Sequence, residues 1–315
     1  MPRDDEAFGI AGDIIRADVA IKSTPRRRPL NDAVSTTDWL GRTRRDEDEI
    51  TLGAIQRLAA TLDQDPSVFR RGGDMPESWY AILFGPIARE STIGPDGHPE
   101  TGDFLPPLHG TRRMFAGRRT KFVKPLVIGE TVTRVSTVTR AEPKSGRTGP
   151  FTLVTVTHDI SGPSGLALTE EQDLVYRAGV EAGTAASQRE AAKSDDEPAW
   201  AKPIELDPVL VFRYCALTFN AHRIHYDLPY ARDVEGYPAL VMNGGLTALL
   251  LIEAARPHLP RPIAALAIRA MSPLFIGQRI SCNGRLAGDA AALWASGPDG
   301  GLAYRVDVTL AGAAA

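Results

Sequence analysis

The chain has 315 residues, 43% of them hydrophobic and 24% charged, with a formal charge of −3. This is globular composition at about twice the usual domain length of roughly 150 residues, which excludes a disordered or collagen-like chain, and a balance so near neutral makes neither nucleic acid nor membrane an expected partner. Two cysteines, Cys215 and Cys282, are too few for a disulfide framework and favour a reducing, cytoplasmic setting; no apolar run approaches the roughly 20 residues that span a bilayer, and the N-terminus lacks a signal-peptide pattern.

Residues 1–30 read as a flexible, solvated tail. Asp4, Asp5, Glu6, Asp13 and Asp18 argue against a transit peptide, a segment type that avoids acids; Arg26, Arg27 and Arg28 are either solvated charge or a clasp for phosphate. Near Asp46 the spacing to Glu49 resembles a capping box and predicts a helix, with Leu52, Ile55, Ala59 and Leu62 along one face and Pro66 as its stop. Residues 79–84, an apolar stretch closed by Gly85 and Pro86, fit a short strand or a buried helical turn equally well. From Arg118 onward, β-branched residues and glycine turns predict four strands at 120–124, 130–140, 151–160 and 166–176, joined as an antiparallel meander that the earlier helix covers.

Residues 181–197 are rich in Ala, Ser, Lys, Glu and Asp without an apolar period and read as an exposed linker. Beyond them, an apolar helix at about 244–255 and strands near 263–271, 279–286, 291–296 and 302–310 repeat the order of helix then four strands. The halves also share a fragment, Pro125-Leu126-Val127-Ile128-Gly129 and Pro273-Leu274-Phe275-Ile276-Gly277, displaced by 148 residues throughout. Equal displacement with matching element order predicts two copies of one fold: a tail at 1–30, a first domain at 31–180, a linker at 181–199 and a second domain at 200–315. Leu246, Leu249, Leu250, Leu251 and Ile252 leave the late helix almost no polar face, so it must be buried. A curved antiparallel sheet wrapped around a long helix meets that demand. The expected fold class is therefore α+β, a tandem hotdog with each half an antiparallel sheet around a central helix.

The densest run of unusual polar residues is Tyr214-Cys215-Ala216-Leu217-Thr218-Phe219-Asn220-Ala221-His222-Arg223-Ile224-His225-Tyr226-Asp227, which holds two of the six histidines. Zinc would need three convergent ligands, and His222, His225 and Asp227 supply them only if the backbone turns alternate side chains to one side. The run resembles, without a gap, the hydratase motif of the MaoC-like (R)-hydratase family, aromatic-x-x-Leu-Thr-Gly-Asp-x-Asn-Pro-Leu-His-x-Asp. Tyr214, Leu217, Thr218, His225 and Asp227 match it; Phe219, Asn220, His222 and Arg223 stand where the pattern has Gly, Asp, Asn and Pro. These departures are similar to a narrower branch, the two-domain mesaconyl-C4-CoA hydratases and the hydroxyacyl-thioester dehydratases of mitochondrial fatty-acid synthesis. Its landmarks resemble Asp38-Trp39-Leu40-Gly41-Arg42, Gly94-Pro95-Asp96-Gly97-His98-Pro99, Phe104-Leu105-Pro106-Pro107, Arg112-Arg113-Met114-Phe115-Ala116-Gly117 and Glu235-Gly236-Tyr237-Pro238. The resemblance covers most of the chain. It implies a hydro-lyase with an acyl-CoA substrate, no cofactor and no metal, a first half that binds the acyl and CoA groups, and a homodimer of such chains as one form of assembly.

Hydrating an α,β-unsaturated thioester needs a base for water, an acid for Cα and donors for the enolate oxygen. The resemblance implies His225 as base and acid, and an imidazole titrating near about 6.5 offers its neutral form. Asn220 cannot be a base, but its amide can hold water or orient a partner; His222 takes the place of the motif's Asn. Asn243, Gly244 and Gly245 open the buried helix, where backbone N–H groups and the positive dipole end form a candidate oxyanion site. The same glycines also read as mere room for the helix to start, and related hydratases have His in place of Asn243. Arg223 is a candidate for a free acyl carboxylate, and Arg112, Arg113, Arg118 and Arg119 for CoA phosphates; His109, His158 and His258 lack comparable neighbours. The expected reaction is addition of water to a short branched or dicarboxylic enoyl-CoA. A hydroxyacyl-ACP dehydratase, a hotdog thioesterase and a non-catalytic acyl-CoA-binding protein stay open as alternatives.

Overall fold

The computed structural model describes residues 36–108, 111–146, 149–178, 192–194 and 196–312. The tail at 1–30 and most of the linker lie outside them. The scaffold is one ten-stranded antiparallel sheet built from β1 (Thr43–Glu49), β2 (Thr111–Phe122), β3 (Thr131–Gly146), β4 (Gly149–Gly162), β5 (Gly165–Ala178), β6 (Trp200–Glu205), β7 (Ile263–Ala270), β8 (Arg279–Ala287), β9 (Ala290–Ser296) and β10 (Leu302–Leu310). Their spatial order is β1-β3-β4-β5-β2-β7-β10-β9-β8-β6. Read inward from either end, each half gives its first, third, fourth, fifth and second strand. The two halves therefore repeat one topology and meet at β2 and β7, paired from Gly117↔Arg269 to Lys121↔Ala265.

The duplicated fragments occupy equivalent corners. Leu126 O accepts from Met75 N and Leu274 O from Met242 N, both at 2.8 Å, while Gly129 N donates to Ile50 O at 2.7 Å and Gly277 N to Leu206 O at 2.8 Å. Gly129 and Gly277 have φ of 99° and 88°, a region that a Cβ disfavours. Equivalent bonds at equivalent corners account for the recurrence of the leucine and the glycine.

Among the described residues three α-helices complete the fold: α1 (Leu52–Thr61), α2 (Pro208–Leu217) and α3 (Gly244–Ala255). Each starts on a side-chain cap: Thr51 Oγ1 accepts from Ala54 N, Asp207 Oδ1 from Val209 N and Leu210 N, and Asn243 Oδ1 from Gly245 N and Leu246 N. α3 is buried on nearly all sides, as its composition requires, packed against β8, β9, β10 and a 3₁₀ turn of the first half, Glu77–Ile82. The halves share one apolar core. Across the junction, Glu253 of α3 accepts from Trp79 Nε1 at 3.1 Å and Gln64 Nε2 at 2.9 Å, and Arg256 joins Glu253 to Glu77.

Two local expectations need correction, and one open reading is decided. The helix foreseen from Asp46 begins only at Leu52, because residues 43–49 form β1. There Asp46 pairs with Arg44 at 3.1 Å and, across the strands, with Arg134 at 2.8 Å, so its spacing to Glu49 serves a charged sheet edge and not a helix cap. The ambiguous stretch at 79–84 is mostly the 3₁₀ turn Glu77–Ile82. β2 begins at Thr111 and pairs with β5 and β7; only β3, β4 and β5 form a meander, since the partners of β2 are distant in sequence. Among the described residues no helix is long and apolar enough to cross a membrane.

Candidate active site

Beyond α2 the chain turns sharply. Phe219 adopts φ 50° with an exposed side chain, holding the left-handed conformation where the motif has glycine. Asn220 N donates to Cys215 O, and Asn220 Oδ1 accepts from His222 N at 2.9 Å. A 3₁₀ turn, Arg223–His225, then carries His225 inward to 9% exposure. His225 Nδ1 lies 2.8 Å from Val241 O. A carbonyl only accepts, so Nδ1 carries the proton and Nε2 keeps its lone pair. Burial pushes the imidazole down to about 4, leaving it neutral near pH 7.

His222, His225 and Asp227 do not converge as a ligand set. Asp227 Oδ2 is held by Arg223 at 2.7 Å and its Oδ1 accepts from Tyr230 N at 3.0 Å. Arg223 also donates to Pro95 O at 2.9 Å and lies 4.1 Å over the Tyr230 ring, so it fastens the motif to the first half.

Residues 94–99 of the first half close over the motif. Arg223 N donates to Asp96 O at 2.9 Å. Gly97, at φ 88°, approaches so closely that a Cβ there would lie 1.9 Å from Ala221 O. This contact sets the His98 ring 4.2 Å from the His222 ring, which in turn stands 5.5 Å from His225, edge to face. His98 Nδ1 is 3.0 Å from Asp96 Oδ2, and Asp96 Oδ1 accepts from His98 N. Burial opposes ionisation of Asp96, yet the hydrogen bond from His98 prevails and holds it down to about 2. Burial, with the charge of nearby histidines, pushes His222 down to about 3. Asp96, His98 and His222 place ligand atoms within 4.8 Å of one another, a different trio from the one whose convergence was conditional in the sequence.

At the N-terminus of α3, Asn243 is buried and its Oδ1 occupies the N–H groups of Gly245 at 2.9 Å and Leu246 at 3.2 Å. The expected pair of glycine donors is thereby reduced to one: of the first three N–H groups of α3, only that of Gly244 has no partner among the described residues. A Cβ on Gly244 would lie 2.1 Å from the Tyr304 hydroxyl, and one on Gly245 2.8 Å from the Tyr214 hydroxyl. The glycines are thus required by two buried phenols, whose pKa values burial raises, for Tyr214 to about 12. Both remain neutral donors.

The β2 arginines divide. Arg118 is partly buried and pairs with Glu170 at 3.2 Å, which also accepts from the Tyr80 hydroxyl; Thr120 Oγ1 lies 2.8 Å from Tyr80 Oη. Glu170 is thus the charge partner of Arg118. Arg119 is held by Glu171 at 2.8 Å and Asp173 at 2.6 Å. Arg113, half-buried opposite Tyr176, has no carboxylate partner among the described residues. The side chain of Arg112 and all of His109 lie outside them. His158 bonds Ser136 at 2.7 Å, and His258 stacks on Trp200 at 4.4 Å.

Residues 79–276 match the family described as hydroxyacyl-thioester dehydratase type 2. The chain belongs to this family. The mesaconyl-C(4)-CoA hydratase of Chloroflexus aurantiacus is 42% identical over 274 residues, 87% of this chain and 97% of that protein. The mitochondrial hydroxyacyl-thioester dehydratase type 2 of Schizosaccharomyces pombe is 34% identical over 116 residues, 36% of this chain and 37% of its own. A crystal structure of a MaoC-like dehydratase from Phytophthora capsici superposes with a TM-score of 0.62 over 87% of this chain and 97% of that one, at 14% identity. This likeness concerns the fold alone: the dehydratase-family sheet is a double hotdog. As a member of the family the protein is a hydro-lyase.

Asp96, His98, Tyr214 and Tyr304 stand at the site; the sequence marked the first three only as parts of family motifs without a role of their own, and Tyr304 not at all. An Asp-x-His step in a Gly/Pro loop was a usable signal, because a carboxylate two residues away reaches Nδ1. Nothing local marked Tyr304, which comes to Gly244 only through the β10–α3 packing.

Proposed function

We propose that this hydro-lyase adds water reversibly across the C2–C3 double bond of a short branched or dicarboxylic enoyl-CoA, with mesaconyl-C4-CoA as the leading substrate. The observation that carries the reading is the orientation of His225: Nδ1–H is fixed on Val241 O, three residues before the unclaimed N–H of Gly244, and Nε2 is left free. In this reading Nε2 takes a proton from water as the oxygen attacks C3. The π pair moves onto the thioester oxygen, toward Gly244 N–H and the positive end of α3, and the enolate then takes a proton at C2. General acid–base transfer contributes typically about 10²–10⁴-fold and one oxyanion donor about 10²–10³-fold.

The similarity to the CoA hydratase over 87% of the chain, against 36% for the fission-yeast dehydratase, supports a CoA ester over a carrier-bound acyl group. With Arg223 engaged by Asp227, Arg113 is the better candidate for a free carboxylate, since its charge reaches His222. The test is a panel of mesaconyl-C4-CoA, itaconyl-CoA and crotonyl-CoA, following absorbance of the conjugated thioester and free thiol in parallel. Absorbance falls without thiol release if the reading holds. Thiol release on all three would identify a thioesterase, and tight binding without turnover an acyl-CoA-binding protein.

A further inference from the structure

We propose that Asp96 and His98, delivered by the first half, form a second proton-transfer dyad of the site, in which His98 exchanges the proton at C2 while His225 handles water. The proposal rests on the hydratase reading above. The motif's acid position holds Asn220, whose amide neither takes nor releases a proton and whose oxygen is bonded to His222 N at 2.9 Å. The motif itself brings two imidazoles, and the ring of His222 stands between His225 and His98. A third imidazole, the only one of the three backed by a carboxylate, comes from outside it.

The loop that supplies it is held at three points. Asp96 O accepts from Arg223 N, Pro95 O from the Arg223 guanidinium, and Gly97 lies against Ala221 O where no Cβ fits. Within this loop the Asp96 carboxylate accepts from His98 Nδ1, which turns Nε2 into the proton-exchanging atom, as in carboxylate-backed histidines generally. The His98 ring rests on His222, and His222 separates it from His225. His222, neutral and half-buried, spaces two imidazoles whose Nδ1 positions are both fixed, one on a carbonyl and one on a carboxylate.

The chemistry balances over one turnover. Water gives a proton to His225 Nε2 as its oxygen bonds to C3, and the π pair becomes the enolate. The enolate carbon C2 then takes the proton from His98 Nε2. His225 returns its proton to solvent and His98 regains one, so that one water is added and neither oxidant nor co-reactant is needed.

The two roles are separated by following the 3-hydroxyacyl-CoA product in deuterated water, reading deuterium at C2 and loss of water independently. His225→Ala is expected to stop loss of water yet still exchange the C2 proton. His98→Gln is expected to lose both by about 10²-fold or more with KM within about threefold of wild type, and Asp96→Asn to fall between. Free imidazole should restore exchange to His98→Gly, a readout that a purely structural role would not give. Absence of exchange in His225→Ala, wild-type kcat in His98→Gln, or absence of imidazole rescue overturns the dyad. So does loss of activity on chelation with recovery on adding zinc, which would make Asp96, His98 and His222 metal ligands. Wild-type protein that neither interconverts nor exchanges any tested ester defeats the hydratase reading itself, an outcome distinct from these.

Discussion

The two halves share a sheet topology and the same corner hydrogen bonds, yet only one carries the catalytic motif. Where Met242 leads into Asn243 and twelve residues of α3, Met75 leads into Pro76 and a six-residue 3₁₀ turn. Proline offers neither a capping side chain nor an N–H. After α2 comes the turn with His222 and His225; after α1 come residues 62–71, without a histidine. The corresponding interior of the first half is filled by Arg118, Glu170, Tyr80 and Thr120 bonded to one another. A repeat thus keeps its scaffold while chemistry follows two local features, a capped helix terminus and a histidine turn, and the half that lacks both contributes a loop instead.

The sharpest test of this division compares two counterpart turns. His225→Ala should lower kcat by about 10²–10⁴-fold while acyl-CoA binding persists, measured by steady-state kinetics beside ligand titration. Phe69→Ala, in the turn after α1, removes a ring packed 4.9 Å from Trp79 and should cost about 1–3 kcal/mol of stability with kcat little changed. Equal loss of kcat in both would erase the distinction.

Gly97→Ala tests whether the first half reaches the chemistry. Its Cβ would meet Ala221 O at 1.9 Å, so the loop must shift, and a displacement of about 1 Å at a site of this kind costs on the order of 10²-fold. Unchanged kcat would detach residues 94–99 from the reaction.

Acid acts on both halves. His158 in the first, and His222 and His225 in the second, have folded pKa values pushed to about 4, 3 and 4, mainly by burial, against about 6.5 when unfolded. The unfolded chain binds more protons between those values, so stability is full above about pH 6.5 and falls as pH drops toward 4. Thermal melts across that window should show it, with His158→Gln and His222→Gln each flattening the slope. The acid limb of kcat/KM should lie near pH 4 for the same reason, and Asn220→Asp should move it upward, since a nearby carboxylate favours the imidazolium.

The smallest expected effect is on a nicked chain. Cutting between Ala186 and Lys193 should leave the halves together on gel filtration, because the β2–β7 pairing, the common apolar core and the Glu253 contacts all remain. Halves that separate while activity persists would break the picture of one shared sheet.

Much of this was legible in the sequence where the information is local. β7 to β10 and α3 fall within a residue of their predicted bounds, because alternation and an all-round apolar helix leave few choices, and the duplicated fragment disclosed the repeat. β1 was hidden by a charged run that imitates a capping box, and β2 was cut short because its pairing with β5 and β7 is decided far away in sequence. His225 stood out through its motif. His98 did not, since its proximity to His222 depends on a glycine contact between residues more than a hundred positions apart.

β1 and β6 end the sheet, each bonded to a neighbour on one side only. Exposed strand edges invite other chains to add themselves, which is how soluble proteins begin to form fibrils. Here one edge is Thr-Arg-Arg-Asp-Glu-Asp-Glu, two basic residues followed by four acidic ones, and the other contains Lys202 and Pro203, the latter without an amide hydrogen. Among the described residues, then, neither edge is a good template for a further strand, and growth of the sheet by edge-to-edge pairing is disfavoured at both ends.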